Sequence, residues 1–189
     1  MNLLSENEPM LFLIGPSGVG KSSVLIELHQ RGVIELTPSW TTRPARTDED
    51  QNTIEHKFIS DKEFLKLEND GFFLETLRLF NLPFRFGLPR VKKPPNNQVS
   101  ALVLRTYLLP LMEKHYPNGI TYAIEDEFTR VEPRLQSRKA DGEPLGSRLA
   151  EYETEINQGR ELAKRAFKNN STIKTLADKI QKAIKTDFT

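Results

Sequence analysis

Apolar residues recur along this chain with two periods, and the alternation between them outlines the fold. Met10-Leu11-Phe12-Leu13-Ile14 is an unbroken apolar run, as expected of a central parallel strand buried on both faces. From Ser22 to Arg31 the spacing becomes helical: Val24, Leu25 and Leu28 share a face, and Gly32 stands where a C-terminal cap belongs. Val99 to Leu104 reads as a second central strand, feeding a helix through Leu108, Leu111 and Met112. Gly119 to Ile124 reads as a third, followed by a helix from about Glu127 to Ser137 with Phe128, Val131 and Leu135 on one face. A long helix from about Ser147 carries Leu149, Tyr152 and Ile156, and a last one from Thr172 carries Leu176, Ile180 and Ile184. Strand and helix in alternation predict an α/β fold with a parallel sheet flanked by helices, the apolar stripes forming its core.

The pattern breaks between Thr37 and Asn97. This segment opens on a Pro/Thr/Arg-rich turn and predicts a short helix from Asp61 to about Asn69, capped by Ser60 or Asp61. Two paired strands follow, around Phe72 to Leu77 and Phe84 to Gly87. The segment is too structured for a linker and too small to fold alone. Pro89-Arg90-Val91-Lys92-Lys93-Pro94-Pro95 is read as an exposed connection, because proline suits neither helix interior nor central strand. Arg138 to Gly146 is polar and rich in Gly and Pro between two helices, the composition of a mobile lid. No internal repeat is visible.

Composition narrows the classes. The 189 residues, 37% of them hydrophobic, suffice for one substantial core. With 27 Lys+Arg against 26 Asp+Glu, net charge is +1, so there is no global field for nucleic acid or an acidic membrane. The absence of cysteine excludes disulfides, thiolate metal sites and cysteine nucleophiles. Three scattered histidines make no case for a transition-metal site. Residues 1–8 are acidic with no apolar core, unlike a signal or transit peptide, and no apolar stretch approaches the ~20 residues of a membrane span. The expectation is a cytoplasmic protein, monomer or weak homodimer, acting on small molecules without nucleic-acid or membrane partners.

The first apolar run leads directly into Gly15-Pro16-Ser17-Gly18-Val19-Gly20-Lys21-Ser22, a complete G-x-x-x-x-G-K-[ST] phosphate loop, with Ser23 following. Strand, loop and helix stand in the order this motif requires. Its glycines let backbone N–H groups close round phosphates at a helix N-terminus, Lys21 can reach the β/γ-phosphates, and the Ser22 hydroxyl can ligate Mg²⁺. ATP and Mg²⁺ are the expected cofactors.

Arginines narrow the reading further. Arg43 and Arg46 lie three residues apart in Thr41-Thr42-Arg43-Pro44-Ala45-Arg46, and such guanidinium forks can hold a phosphate bidentately. Arg134 and Arg138 fall at i and i+4 on one helix face, with Arg148 across the lid, so the three can converge on a transferring phosphoryl group. Taken alone, the Arg43/Arg46 pair is as often a solvated charge cluster, and Arg134 and Arg138 are more often a solvated face. His29 and His115 are read as surface or capping residues, and Trp40 as packing.

These motifs together resemble the guanylate kinase family over nearly the whole chain. The resemblance rests on Gly15 to Ser23, Ser39-Trp40-Thr41-Thr42-Arg43-Pro44-Ala45-Arg46, Phe58-Ile59-Ser60-Asp61-Lys62-Glu63-Phe64, Phe72-Phe73-Leu74-Glu75, and Arg134 to Arg138 with Ser147-Arg148-Leu149. It implies a P-loop NTPase core (residues 9–37, 98–137 and 149–189), a monophosphate-binding insertion (38–97) and a small lid (138–148), all within one domain. It also implies roles: Arg43 and Arg46 on the acceptor phosphate, Ser39 and Glu75 on the guanine edge, and Arg134, Arg138 and Arg148 closing over ATP. Asn169 or Asn170 would lie near the adenine. The implied reaction is phosphoryl transfer from Mg·ATP to GMP or dGMP.

Departures gather on the acceptor side. His56 stands where the family has a tyrosine, Phe86-Gly87-Leu88 where it has Tyr-Gly-Ser/Thr, and Val103 and Arg105 where it has an acidic pair. A relative, ribose 1,5-bisphosphate phosphokinase, is similar in its phosphate loop, in a histidine near position 56 and in lacking that pair. Glu75 favours the guanylate reading, His56 and Arg105 the phosphosugar. A non-catalytic guanylate-kinase-like scaffold module is a further alternative, against which the complete phosphate loop speaks.

Overall fold

The computed structural model describes residues 3–45, 53–78, 83–95, 98–137 and 145–188, with side chains not described for residue 137 and residues 145–150. Arg46, Arg138 and most of the segment read as a lid lie outside the described residues, and Arg148 is described only as backbone of a helix.

The central apolar run becomes β1 (Leu11–Ile14), every residue of it buried. After the phosphate loop come α1 (Lys21–Gln30) and β2 (Ile34–Leu36). The break in periodicity contains β3 (Ser39–Thr41), β4 (His56–Phe58), α2 (Asp61–Asn69), β5 (Phe73–Arg78) and β6 (Arg85–Pro89). The chain then returns through β7 (Val99–Val103), a 3-10 turn (Thr106–Leu108), α3 (Leu109–Glu113) and β8 (Ile120–Glu125). It closes with α4 (Phe128–Ser137), α5 (Leu145–Leu162), β9 (Arg165–Lys168) and α6 (Ile173–Asp187).

Two sheets result. One is a five-stranded sheet in the order β2-β7-β1-β8-β9, with every pairing parallel. Residues of β1 alternate between its faces: Leu11 and Leu13 pack with Val24, Leu28, Leu176 and Ile180 of α1 and α6, while Phe12 and Ile14 pack with Leu109 and Met112 of α3. This is why the run shows no polar alternation. The other sheet, in the order β4-β3-β6-β5, pairs β5 and β6 antiparallel and β3 and β4 parallel. It is held by an aromatic cluster in which Trp40 meets Phe72 edge-on at 5.1 Å and Phe64 stacks on Phe73 at 4.6 Å. Helix α2 begins as read from sequence, with Ser60 Oγ accepting from Glu63 N–H.

One expectation is corrected in part. The proline-rich return is an exposed connection only in part: Arg90, Lys92, Lys93 and Pro95 are exposed, but Pro89 ends β6, Val91 is fully buried, and Val91 N–H donates to Tyr116 Oη at 3.1 Å. Leu88 and Val91, on either side of Pro89 and Arg90, enter the same core as Phe12. The short strands β2, β3, β4 and β9 were not legible in the hydrophobic pattern. Among the described residues no helix is long and apolar enough to cross a membrane.

Candidate active site

A cavity of about 600 Å³ opens where the carboxyl ends of β1 and β7 face the second sheet. Its walls divide into a polar half, built on the phosphate loop, and a largely apolar half.

In the polar half, backbone geometry comes first. Gly15 and Gly20 have φ of 139° and 98°, conformations that a side chain disfavours. A Cβ on Gly15 would collide with the Ile124 carbonyl, and one on Gly20 would come within 2.5 Å of Asn169 Nδ2. The loop thus delivers its amides to the start of α1, whose first turn carries no acidic residue and no side-chain cap. The helix N-terminus therefore stays open to an anion. Ser17, Gly18, Gly20, Lys21, Ser22 and Ser23 line the cavity. Gly15, Pro16 and Val19 do not line it; Val19 is wholly buried in the core, so its part in the loop is played by its backbone. Lys21 Nζ donates to the Gly15 and Pro16 carbonyls at 2.6 and 2.8 Å, which fixes the ammonium across the loop.

The loop is braced from two sides. Asn169, buried at the end of β9, donates from Nδ2 to the Val19 carbonyl at 2.9 Å and lines the cavity. Asn170 is exposed and lies outside the wall. Arg134 of α4 donates to the Gly18 carbonyl at 2.9 Å and to Asp126 Oδ2 at 3.1 Å. Arg130, one turn earlier, lines the cavity and pairs with Asp126 at 3.6 Å. Sequence reading missed Arg130, although its i, i+4 relation to Arg134 was visible. Tyr152 Oη donates to the Asp126 carbonyl, and burial pushes its hydroxyl up to about 12. It stays a neutral donor at any physiological pH.

The apolar half is built by Leu77, Phe86 and Leu88 of the second sheet with Leu102, Leu104 and Leu108 of the core. Its polar groups are few. Ser39 and His56 are register partners across β3 and β4, and a 2.7 Å hydrogen bond joins Ser39 Oγ to His56 Nδ1. Glu55, next to His56, is the only acidic residue lining the cavity among the described residues. Sequence reading overlooked it, since the residue before the expected tyrosine position carries no motif.

Other predicted acceptor residues stand elsewhere. Glu75 is not brought to the cavity wall, because its carboxylate bonds His115 Nε2 at 2.7 Å. His115, read as a surface or capping residue, lies just past the end of α3, is partly exposed, and ties that end to β5. Arg43 is buried, its guanidinium lies 5.2 Å from the Phe58 ring centroid and donates to the Pro44 carbonyl, and it does not line the cavity. Arg105 lines the cavity, but its guanidinium is directed at Ser17 of the phosphate loop and at Glu151 and Glu155 of α5.

A phosphate loop between a parallel sheet and its first helix, opening on a cavity, defines a P-loop nucleotide-binding fold. Comparison with known proteins narrows this class. No family model matches the chain. A guanylate kinase from Prochlorococcus marinus is 32% identical over 164 residues, 84% of this chain and 85% of that protein. Another, from Thermosynechococcus vestitus, is 31% identical over 153 residues, 78% of each chain. The crystal structure of guanylate kinase from Anaplasma phagocytophilum superposes with a TM-score of 0.62 over 98% of this chain and 88% of that one; at 23% identity it speaks for the fold. This chain belongs to the guanylate kinase family.

Proposed function

We propose that this chain transfers a phosphoryl group from ATP to GMP or dGMP, giving GDP or dGDP. The observation that carries the reading is that Lys21 and Ser22 of a complete phosphate loop line the same cavity as Ser39, Glu55 and His56 of the second sheet. A donor and an acceptor can therefore share one enclosure.

The donor's phosphates lie along the loop amides, with Lys21 on the β/γ-phosphates and Arg134 and Asn169 bracing the loop. The Ser22 hydroxyl would hold Mg²⁺, which when bound would supply charge compensation on the phosphate oxygens. Ser22 lines the cavity in the uncapped first turn of α1, and its single hydroxyl oxygen suits a hard cation that keeps phosphate and water ligands. The acceptor base lies in the apolar half against Phe86 and Leu88, with Ser39, His56 and Glu55 at its polar edge. No protein nucleophile is required, because the acceptor phosphate attacks directly and catalysis is positioning with electrostatic compensation.

Arg46 and Arg43, the latter only by leaving its place against the Phe58 ring, are assigned to the acceptor phosphate, and Arg138 and Arg148 to the migrating charge. Residues 9–37, 98–137 and 149–189 form the core of one domain, 38–97 its acceptor insertion and 138–148 its lid. The phosphosugar alternative is not favoured, since Arg105 has its partners on the donor side. An ADP-release assay over nucleoside monophosphates, deoxynucleoside monophosphates and ribose 1,5-bisphosphate tests the reading. GMP or dGMP should lead, and a GMP kcat/KM no better than that for AMP overturns the acceptor assignment.

A further inference from the structure

Strand β7 ends beside the phosphate loop, where an acid commonly helps to hold the cation in P-loop proteins. Here the strand delivers Arg105 instead, and the guanidinium joins three elements. One terminal nitrogen donates to Ser17 Oγ at 3.1 Å. The other donates to Glu151 Oε2 at 2.8 Å and to Glu155 Oε1, both on α5. The Arg105 side chain is 15% exposed, that of Glu155 only 5%, and the guanidinium lies 5.8 Å from the Tyr107 ring centroid. The Glu155 Oε2 atom is buried with no hydrogen-bond partner among the described residues. Burial raises the Glu155 carboxyl above its usual range, against the opposing pull of Arg105 and Lys21.

A half-satisfied buried acid is a poor stabilising device, since desolvation offsets much of what the ion pair returns. What it does accomplish is geometric. A planar guanidinium can give one edge to a carboxylate and keep another facing a phosphate, which a lysine ammonium cannot do with the same fixed aim.

We propose that Arg105 serves the donor side of the cavity, as the cation that meets the nucleotide's phosphate chain at Ser17, and that Glu155 is the positioning residue that aims it. The proposal rests on the donor half of the proposed function and is independent of which acceptor is used. Arg105 then joins Lys21 and Arg134 around the phosphates, and it connects α5, which runs back from the segment assigned as the lid, to the phosphate loop.

Calorimetric titration of Mg·ATP into the full chain, with no acceptor present, tests it. Arg105→Lys should weaken Mg·ATP binding about tenfold, because one ammonium cannot reproduce both sets of bonds. Glu155→Gln keeps the shape but removes the charge, and should weaken binding about threefold while raising the acceptor KM less than about twofold. The double variant should fall no further than Arg105→Lys alone, as expected of residues acting in series. Unchanged Mg·ATP affinity in Arg105→Lys, with a raised acceptor KM, overturns the proposal and returns Arg105 to the acceptor. Affinity that falls only in step with a lowered Tm overturns it as well, leaving a structural ion pair. Should Glu155→Gln not fold, Arg105→Lys alone decides. A wild-type chain that binds Mg·ATP but leaves GMP unphosphorylated removes the acceptor assignment and leaves this test intact.

Discussion

The two halves of the cavity are built by different means. The donor half comes from one contiguous stretch, Gly15 to Ser23, and its working groups are largely backbone amides and one helix N-terminus; Asn169, Arg134 and Lys21 brace the loop by bonding its own carbonyls. The acceptor half is assembled from β3, β4, β5, β6 and β7, and its polar side chains are few. Phosphate recognition by backbone tolerates drift in the surrounding sequence, whereas base recognition by side chains must be rebuilt whenever one of them changes. Departures from the family pattern should therefore collect in the acceptor half, and those at His56, Phe86, Leu88 and Val103 do; Arg105 is the exception, its guanidinium turned to Ser17 on the donor side.

The largest expected effect breaks the donor half outright. Lys21→Ala removes the cation spanning the loop and should lower kcat by on the order of 10²-fold or more, with circular dichroism unchanged. A variant that keeps most of its turnover would mean that the phosphates are held elsewhere.

The acceptor half is sharpened by comparing two carboxylates. Guanine presents adjacent N–H donors that a carboxylate accepts and an amide accepts only in part. Glu55 lines the cavity, whereas Glu75 is engaged by His115. Glu55→Gln should reduce the GMP-to-AMP ratio of kcat/KM by about thirtyfold, a charged hydrogen bond being worth about 1.5–3 kcal/mol. Glu75→Gln should move that ratio less than about threefold. The reverse order would show that Glu75 exchanges His115 for the base when the acceptor arrives.

This pair of glutamates also marks the limit of what the chain discloses as a string. Strands β1, β7 and β8 were legible because burial on two faces leaves continuous apolar runs. Strands β3, β4 and β9 are three or four residues long and half-buried, too short for any period to register. The phosphate loop was legible because its function is local. Glu75 and His115 are 40 residues apart, and Arg105 lies 88 residues from Ser17, so nothing in the neighbourhood of either residue announces its partner. Arg43 reads as a phosphate ligand by motif, yet in the structure it lies buried against Phe58, a contact that depends on the β3–β4 register.

A smaller effect distinguishes a brace from the loop itself. Arg134→Ala removes the donor to the Gly18 carbonyl and leaves the loop's backbone intact. KM for ATP should rise about tenfold with kcat within about threefold, measured at saturating acceptor. A kcat loss comparable to that of Lys21→Ala would move Arg134 from bracing the loop to acting on the transferring group.

The smallest effect concerns the scaffold under the donor half. Asp187, at the end of α6, accepts from Arg165 Nε at 2.7 Å, from the other guanidinium edge at 2.8 Å and from Tyr122 Oη at 2.7 Å, so it clamps α6 to β8 and β9. Its side chain is only 4% exposed, and the Arg165 bonds above all hold its carboxyl well below the usual carboxylate range. The ion pairs of the second sheet are longer, Arg85 reaching Glu68 and Asp61 at 3.5 and 3.8 Å. A carboxyl with a lowered native pKa contributes stability that is complete above its unfolded value of about 3.9 and is lost as pH falls through the native value. Asp187→Asn should therefore cost about 1 kcal/mol near neutral pH, discounted because Arg165 remains partly solvated. In denaturant melts the gap between wild type and variant should hold down to about pH 5 and narrow below about pH 4. A gap that persists unchanged into acid would mean that the clamp works through shape and hydrogen bonding, and that the charge on Asp187 is incidental to it.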